Sequence, residues 1–369
     1  MLVLAAAGKV QAEPGPGGAL YLKTGRRATD VIRVVPPSRA LPPAPVEAAA
    51  EAPPMRFGLD MDSVDKASRQ GMTVSYGTFW VGAWTQKYGW DEAAEKLKAA
   101  RKLGVTPVIQ WWYWGDEISP SAVENGVRDA RHGVVKNRAA WTRMSTELAD
   151  LVARTMGDRE TIVVLETEFN KNGIENYEPF DGYLAEQAKI LHAKGNIKVV
   201  IGFGNWGRSQ WSRFDQAIAE SDLLGTQLLQ SSARDAATYM KTVDTLIAGA
   251  RTLQTTFGKP SLIMDLALSS YPTATYEKNQ AAVIQELFTR AGELKAAGVR
   301  GIIWRAMNDD PNFDTTNYHG AAERHWGLVR ADGTPKPAFA AFRSGVQAEA
   351  SRPTVASAAG QAGRAAGAP

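Results

Sequence analysis

Residues 162–170 read IVVLETEFN, an apolar run with branched side chains that ends in two carboxylates and an amide. A run of this kind between turn signals is typical of a buried strand. Because successive strand side chains alternate between faces, Glu166, Glu168 and Asn170 are expected to share one face. Buried carboxylates are costly unless they are paired or used in chemistry. The stretch therefore predicts either a structural ion-pair network or a catalytic acid/base, and we favour the second.

From residue 55 onward, strand-like runs alternate with amphipathic helical runs, which favours a parallel α/β fold. Eight strand-like runs begin at residues 56, 73, 106, 162, 198, 223, 261 and 301. Helices are predicted between most of them, at residues 91–102, 139–155, 183–193, 212–219, 236–253 and 277–297. Eight such units in about 290 residues predict a single (β/α)8 TIM barrel, because a doubly wound sheet rarely needs so many.

The segments that flank this barrel lack a core-forming pattern. Residues 1–54 are rich in Ala, Pro and Gly, and residues 346–369 are rich in Ala, Gly and Ser, so both are predicted to be disordered tails. The barrel is therefore expected at residues 55–345. The first twelve residues resemble a weak export signal without a basic start, and a simple low-complexity start explains them equally well. No run is long enough to predict a membrane span.

Composition narrows the classes of function. The 42 basic and 39 acidic residues give a net charge of +3 and are scattered, so no nucleic-acid partner is expected. The absence of cysteine excludes disulfides and thiolate chemistry. The four histidines have no metal-ligand spacing, so neither a metal nor a cofactor is predicted. Eleven tryptophans are consistent with core packing and also with a cleft that offers flat apolar faces to a carbohydrate.

In such a barrel, functional side chains lie where the strands end. Acids, amides and indoles occur at these ends, and together they predict a polyhydroxylated ligand held by hydrogen bonds and ring stacking. The predicted substrate-binding residues are Asp60, Trp111, Glu166, Asn205, Trp206, Gln227, Trp304 and Arg305. Some have alternative roles, since Asp60 is also suited to cap the first helix and Trp304 to close the barrel.

Glu168 and Asp265 are the predicted catalytic residues, because each follows an apolar strand and three βα units separate them. Glycoside hydrolysis needs two carboxyl groups, about 5–5.5 Å apart for retention of configuration and about 6.5–9.5 Å apart for inversion. One of the two must be kept neutral and the other ionised.

Short motifs, in chain order, resemble those of clan A glycoside hydrolases, and the closest local likeness is to family 26. They lie at residues 104–112, 119–126, 167–170, 259–265, 326–328, 332–333 and 336–338. The resemblance implies that Glu168 is the acid/base, that Asp265 occupies the nucleophile position, and that Trp304 floors the cleft. In the family the nucleophile is Glu, and Asp is shorter by about 1–1.5 Å, which leaves retention and inversion both open.

The leading hypothesis is therefore a glycosidase that acts on a polysaccharide or oligosaccharide. A second hypothesis is a carbohydrate-binding barrel without catalysis, motivated by the aspartate at the nucleophile position. A third is a metal-dependent hydrolase that uses Asp60, Asp62, Glu166 and Asp309, although barrels of that class usually bring more histidines to the rim.

Overall fold

A computed structural model describes residues 54–114, 122–124, 127–167, 174, 177–204, 211–231, 233–272, 274–313 and 319–352, with three short strands nearer the start. Side chains are described throughout these ranges except at 122–124 and 127–136.

Residues 1–50 form one compact unit. Its three strands, Gln11–Pro14, Leu20–Lys23 and Val31–Val34, pair in that order in an antiparallel sheet. The sequence analysis did not predict them, because Pro and Gly interrupt every periodic run in this segment. The other residues up to 53, and those from 353, lie outside the described residues, so the two disordered tails remain predictions.

The second unit contains the barrel, in which eight parallel strands close on themselves. The strands are β1 (Arg56–Asp60), β2 (Tyr76–Gly82), β3 (Thr106–Trp112), β4 (Thr161–Leu165), β5 (Ile197–Phe203), β6 (Leu223–Ser231), β7 (Ser261–Ser269) and β8 (Val299–Trp304). Each pairs with the next along the chain, and β8 pairs with β1. The predicted (β/α)8 TIM barrel is therefore confirmed.

Helices follow the strands and surround the barrel. They are α1 (Met61–Arg69), α2 (Thr85–Tyr88), α3 (Asp91–Leu103), α4 (Ala130–Met156), α5 (Phe180–His192), α6 (Asp215–Glu220), α7 (Ala236–Met240), α8 (Thr242–Phe257), α9 (Ala274–Thr289), α10 (Ala291–Ala296) and α11 (Pro337–Ala350). Two 3-10 turns, Trp211–Arg213 and Gly320–His325, and a two-stranded ribbon of Ala122–Glu124 and Val127–Asp129 lie in the connections. None of the described helices is long and apolar enough to cross a membrane.

Local sequence accounts for the start and end of individual helices. The Asp60 carboxylate caps α1 by accepting the backbone N–H of Ser63 at 2.9 Å. Acidic residues occupy the first turn of α3 and basic residues the last, which complements the helix dipole. Gly104 then adopts a left-handed φ of 73°, which ends α3 and turns the chain toward β3.

The predicted second strand was misplaced, because the observed β2 begins at Tyr76, where the prediction ended. The two glycines of β2 are packing positions. A Cβ on Gly77 would lie 2.5 Å from the Met61 sulfur, and one on Gly82 would lie 2.1 Å from the Trp84 ring. Glycine here permits close packing within the strand rather than ending it.

Apolar side chains from seven strands fill the barrel interior. Eight of them are buried, namely Tyr76, Val108, Ile162, Val164, Val200, Leu262, Met264 and Ile303, and the partly buried Leu223 packs against them. The packing is close enough to require glycine on β5. A Cβ on Gly202 would lie 2.9 Å from both the Val164 side chain and the Thr167 backbone. A larger outer cluster joins the strands to the helices.

The closing helix α11 runs to Ala350, beyond the predicted barrel boundary at residue 345. Val346 and Glu349 are buried in it, and Glu349 accepts the backbone N–H of Met55 at 3.4 Å. The end of this helix therefore fastens the start of the first strand, and the barrel extends to about residue 352.

Candidate active site

Asp265 lies inside β7 rather than at its end, since the strand continues to Ser269. The register between β6 and β7 shifts at Gln227, which pairs with Asp265 and leaves Met264 as the extra residue. A bulge of this kind re-aims side chains. Met264 fills the barrel interior, whereas the Asp265 carboxylate reaches polar groups on both neighbouring strands.

The Asp265 carboxylate is held through one oxygen. Gln227 Nε2 donates to Oδ2 at 2.9 Å, and Arg305 Nη1 donates to the same oxygen in a close ion pair. The Asp265 side chain is 6% exposed, so this pair is largely withdrawn from water. Oδ1 makes no hydrogen bond within the described part of the chain. Of the predicted site residues, the structure thus brings Asp265, Gln227 and Arg305 together.

Besides its ion pair with Asp265, Arg305 is held through its backbone and through the face of its guanidinium. It follows β8, where its backbone N–H donates to Leu266 O at 3.0 Å, and its guanidinium lies over the Trp326 ring at 4.9 Å. The His319 ring meets the same indole edge to face, with centroids 6.1 Å apart. Burial lowers the pKa of His319. The negative charge of Glu323 opposes this change, and the positive charges of Arg234 and Arg305 add to it. His319 was missed from the sequence because no periodicity or spacing marks it in its polar loop.

Glu166 does not have the predicted environment. The β4 strand ends at Leu165, and Glu166 has a left-handed φ of 55°, which breaks the alternation that placed it beside Glu168. Its side chain is 0% exposed, and its two oxygens accept the backbone N–H groups of Tyr113 and Trp114, each at 3.2 Å. The predicted contact of Glu166 with substrate remains a prediction, and both of its oxygens are occupied by backbone amides.

Burial raises the pKa of Glu166 to about 8, against the two backbone hydrogen bonds that favour the ionised form. The Trp141 indole on α4 also favours the ionised form, although its N–H makes no hydrogen bond of regular geometry with any described group.

Thr167, not Glu166, faces the barrel interior. Its hydroxyl donates to Gln110 Oε1 at 2.8 Å, and Gln110 Nε2 donates to Met264 O at 3.0 Å. Gln110 is 1% exposed. On β3 it lies two residues after Val108 and two before Trp112, so these three side chains share one face of the strand. The interior face of β3 is therefore the one that carries Trp112, and the adjacent Trp111 faces the helices.

Two predicted platforms are buried among helices. Trp111 is 0% exposed and its indole N–H donates to Ser145 Oγ on α4 at 3.1 Å. Trp304 is 1% exposed, packs 5.9 Å from the Phe342 ring of α11, and donates to Trp326 O at 3.2 Å. Each indole lies on the outward face of its strand, and its predicted contact with substrate remains a prediction.

Trp80 and Trp112 are partly exposed indoles near the ends of β2 and β3. Their ring centroids are 5.5 Å apart in an edge-to-face arrangement. Neither was among the predicted ligands, although both lie at strand ends, where ligand-binding residues are expected. The alternation with Gln110 is the signal that identifies Trp112 rather than Trp111.

Asp60 is partly exposed and its cap role is observed, as described for α1. Its second oxygen accepts the Met307 backbone N–H at 3.4 Å. Burial raises the pKa of Asp60, and these hydrogen bonds oppose the change. Its predicted contact with substrate remains a prediction.

A cleft of about 550 Å³ lies beside the loops that follow β7 and β8. Beneath it the buried Lys336 donates to Asp309 Oδ1 at 2.6 Å, to Ser270 Oγ at 2.8 Å and to Gly327 O at 2.8 Å. Burial lowers the pKa of Lys336, while Asp309 raises it. The cluster ties both loops to the start of α11.

The acids of the metal hypothesis have other partners. Asp62 pairs with Lys96 at 2.7 Å on the exposed side of α1, Glu166 binds backbone amides, and Asp309 binds Lys336. Within the described ranges there is no group of three His, Cys, Asp or Glu side chains suited to a metal ion.

Three predicted site residues, Glu168, Asn205 and Trp206, lie outside the described residues. Their roles remain predictions. The described chain stops at Thr167 before the first of them and at residue 204 before the other two.

Comparison with known proteins gives a fold-level result. No protein-family profile and no curated protein sequence matches the chain. Among solved structures, it is similar to xylanase B from Clostridium stercorarium F9, with 16% identity, a TM-score of 0.56, and coverage of 79% of this chain and 96% of that one. An exo-β-1,4-mannosidase from Opitutaceae bacterium strain TAV5 has 14% identity and a TM-score of 0.59, with coverage of 81% and 60%.

A GH10 endoxylanase from a sugarcane soil metagenome has 13% identity and a TM-score of 0.57, with coverage of 79% and 97%. The chain therefore has the (β/α)8 fold that these solved structures share. The comparisons do not single out family 26.

Proposed function

We propose that this protein is a glycoside hydrolase that cleaves O-glycosidic bonds of a polysaccharide or oligosaccharide, with Glu168 and Asp265 as its two carboxyl groups. The observation that carries the proposal is the presentation of Asp265. One oxygen of a buried carboxylate is held by Arg305 and Gln227, and the other makes no hydrogen bond to the described residues. This leaves one oxygen for a reacting atom while the first is fixed in place.

The groups around Asp265 complement a carboxylate. The Arg305 guanidinium is always charged and pairs directly with the carboxylate, and the Gln227 amide donates a second hydrogen bond to the same oxygen. A carboxylate that acts as nucleophile or base must be ionised, whereas the partner acid must carry a proton. Asp265 fits the first role, and the resemblance to clan A assigns the second to Glu168.

Two routes use the same pair. In a retaining reaction, Asp265 Oδ1 attacks the anomeric carbon while Glu168 protonates the departing oxygen, and water activated by Glu168 then hydrolyses the glycosyl ester. In an inverting reaction, Asp265 takes a proton from a water that attacks the anomeric carbon directly, while Glu168 again protonates the departing oxygen. The shorter aspartate keeps both routes open.

Trp80 and Trp112 supply the apolar contact that a sugar ring requires. Both indoles are partly exposed at strand ends, and their edge-to-face packing, with centroids 5.5 Å apart, restricts how each ring can turn. A pre-ordered indole face binds the C–H surface of a pyranose with little loss of side-chain entropy. The neighbours that are named as xylanase and mannosidase make β-1,4-linked xylan and mannan the first substrates to test.

The test is turnover and binding by a Glu168→Gln variant. Wild type should release reducing sugar from at least one glycan, and the variant should lose detectable turnover while it keeps its affinity in calorimetry. The exposed Glu178 provides a matched Glu178→Gln control that should keep full activity. Unchanged turnover in Glu168→Gln would refute the assignment of the acid/base.

A second measurement addresses Asp265. If it is the nucleophile, Asp265→Ala should be inactive, and added azide should restore cleavage by forming a glycosyl azide. If it is the base of an inverting reaction, azide should again yield a glycosyl azide of inverted configuration, so the configuration of the wild-type product, retained or inverted, distinguishes the two roles. Failure of azide to restore any cleavage, with the variant folded, would count against both roles.

The alternative is a carbohydrate-binding barrel without catalysis. The observation that favours it is the direct Arg305 pair, which neutralises the charge of Asp265. Calorimetric binding of a glycan with no product after long incubation of wild type would support this alternative, and released reducing sugar would dismiss it.

A further inference from the structure

The turn that leaves β4 is locked to the end of β3 by four hydrogen bonds. The Glu166 backbone N–H donates to Trp111 O at 2.8 Å, and the Thr167 hydroxyl donates to Gln110 Oε1 at 2.8 Å. The other two run in the opposite direction, from the amides of Tyr113 and Trp114 to the Glu166 carboxyl. Residues 110–114 and 166–167 therefore behave as one interlocked unit.

Glu166 occupies a backbone conformation that favours glycine. Among the described residues, Glu166 is the one residue other than glycine that has a positive φ, and its value is 55°. A non-glycine residue persists in this region only when its surroundings require it there. The left-handed turn directs the Glu166 side chain toward Trp141 of α4 and the Thr167 side chain into the barrel.

The chemistry of the contact requires a carboxyl group rather than an apolar side chain. Both groups that meet the Glu166 oxygens are N–H donors, so each oxygen must accept. A glutamine of the same size offers one acceptor and would turn its NH₂ toward a second donor. An apolar residue would leave two buried backbone N–H groups without acceptors.

The loop that Glu166 holds leads directly from the partly exposed Trp112. Tyr113 follows Trp112 in the chain, and both Tyr113 and Trp114 are fully buried. Fixing their amides fixes the direction in which the backbone leaves Trp112, whose ring packs on Trp80. In the turn after β4, the chain continues from Thr167 into Glu168.

We propose that Glu166 is a positioning residue, whose buried carboxyl sets the orientation of Trp112 and of the turn that precedes Glu168 by holding the Tyr113 and Trp114 amides. The consequence for catalysis rests on the function proposed above. Glu166 itself has no exposed surface.

The electrostatic surroundings of Glu166 are simple. The Tyr113 hydroxyl is the titratable neighbour, and burial raises its pKa with a smaller contribution from Glu166 and an opposing one from Arg143. No charged side chain among the described residues pairs with the Glu166 carboxyl. A change in its ionisation is therefore transmitted first to the two amides that it binds.

The test in wild type uses amide resonances with selective ¹⁵N labelling of Tyr and Trp. Because the pKa of Glu166 is raised to about 8, the Tyr113 and Trp114 amides should titrate together with a midpoint in that region. The protection of both amides, measured against their intrinsic exchange rates at each pH, should also rise on ionisation, since the carboxylate is the stronger acceptor. Two amides that show no common titration between pH 6 and 10 would overturn the proposal, and this result requires no variant.

A variant tests the consequence for catalysis. Glu166→Gln should speed exchange of both amides at least tenfold, lower kcat about tenfold and raise KM severalfold, while Glu178→Gln leaves all three unchanged. Faster exchange with unchanged kinetics would overturn the positioning role. If wild type cleaves no glycan, the proposed function fails, and the amide titration still decides whether Glu166 holds the loop.

Discussion

The buried carboxyl of Glu166 should make the stability of this barrel depend on pH. Burial raises its pKa from about 4.5 to about 8 in the folded protein, whereas the unfolded chain keeps the ordinary value. The native state then binds more protons than the unfolded state between these two values, so stability falls as pH rises through this window. The contribution is fully present below pH 4.5 and is lost above pH 8.

The magnitude follows from the size of the shift. A difference of about 3.5 units corresponds to about 5 kcal/mol in all, at about 1.36 kcal/mol per unit. Between pH 5.5 and 7.5 the loss is about 2–3 kcal/mol, because the group is partly ionised at the upper value. Since the side chain is 0% exposed, screening by water does not reduce this figure.

Glu166→Gln removes this titration. Urea unfolding followed by tryptophan fluorescence should give a wild-type advantage over the variant that shrinks by about 2–3 kcal/mol from pH 5.5 to pH 7.5. The Glu178→Gln control, at an exposed site, should give a difference that does not change with pH. If the wild-type and Glu166→Gln values run parallel over this range, the reasoning about the buried carboxyl is wrong.

The remaining predictions concern the tryptophans, the ion pair and the barrel boundary. Trp304→Ala should destabilise the fold by about 3–5 kcal/mol in urea unfolding, because its buried ring leaves a cavity, and an unchanged midpoint would contradict its buried place. Trp112→Ala should raise KM about fivefold, whereas Trp111→Phe should leave KM unchanged and lower stability; the reverse pattern would refute the assigned faces. Arg305→Met should lower turnover about 100-fold with the fold retained in circular dichroism, because Asp265 loses its cation, and full turnover would refute that support. A fragment of residues 54–352 should unfold with the midpoint of the full chain, whereas ending at 345 should lower it by removing buried residues of α11.

The sequence predicted the architecture because its signals are repeated. Apolar runs at regular spacing, alternating with helical periodicity, identify eight βα units even when one strand is misplaced. The boundaries were less accurate where glycine serves packing. Gly77 and Gly82 lie within β2, and their need for space is visible only when α1 and Trp84 are in position.

The site was predicted in part for a similar reason. Gln227, Asp265 and Arg305 are polar residues on or immediately after apolar strands, so the position of each along its strand was sufficient to bring them together. The face of the strand on which each side chain lies was harder to predict, because both faces of a barrel strand are buried and apolar. Trp111 and Trp112 are equivalent by composition, and only the pairing of Gln110 with Thr167 distinguishes the inner face.

Glu166 could not be placed from the sequence, because alternation presumes a continuous strand. Its positive φ ends that alternation after Leu165. No residue type announced the turn, since Glu is not a usual choice for this conformation. His319 was missed for a different reason, because long loops carry no periodic signal.

The catalytic role of Asp265 is the central claim, and turnover by Asp265→Asn tests it most directly. The matched control is Asp62→Asn, whose carboxylate lies on the exposed side of α1 with 76% of its side chain accessible. We expect kcat of Asp265→Asn to fall by about 10³-fold or more on the best glycan substrate, with the fold retained in circular dichroism and Asp62→Asn fully active. If Asp265→Asn cleaves the same glycan at a rate near that of wild type, the account of this site is wrong.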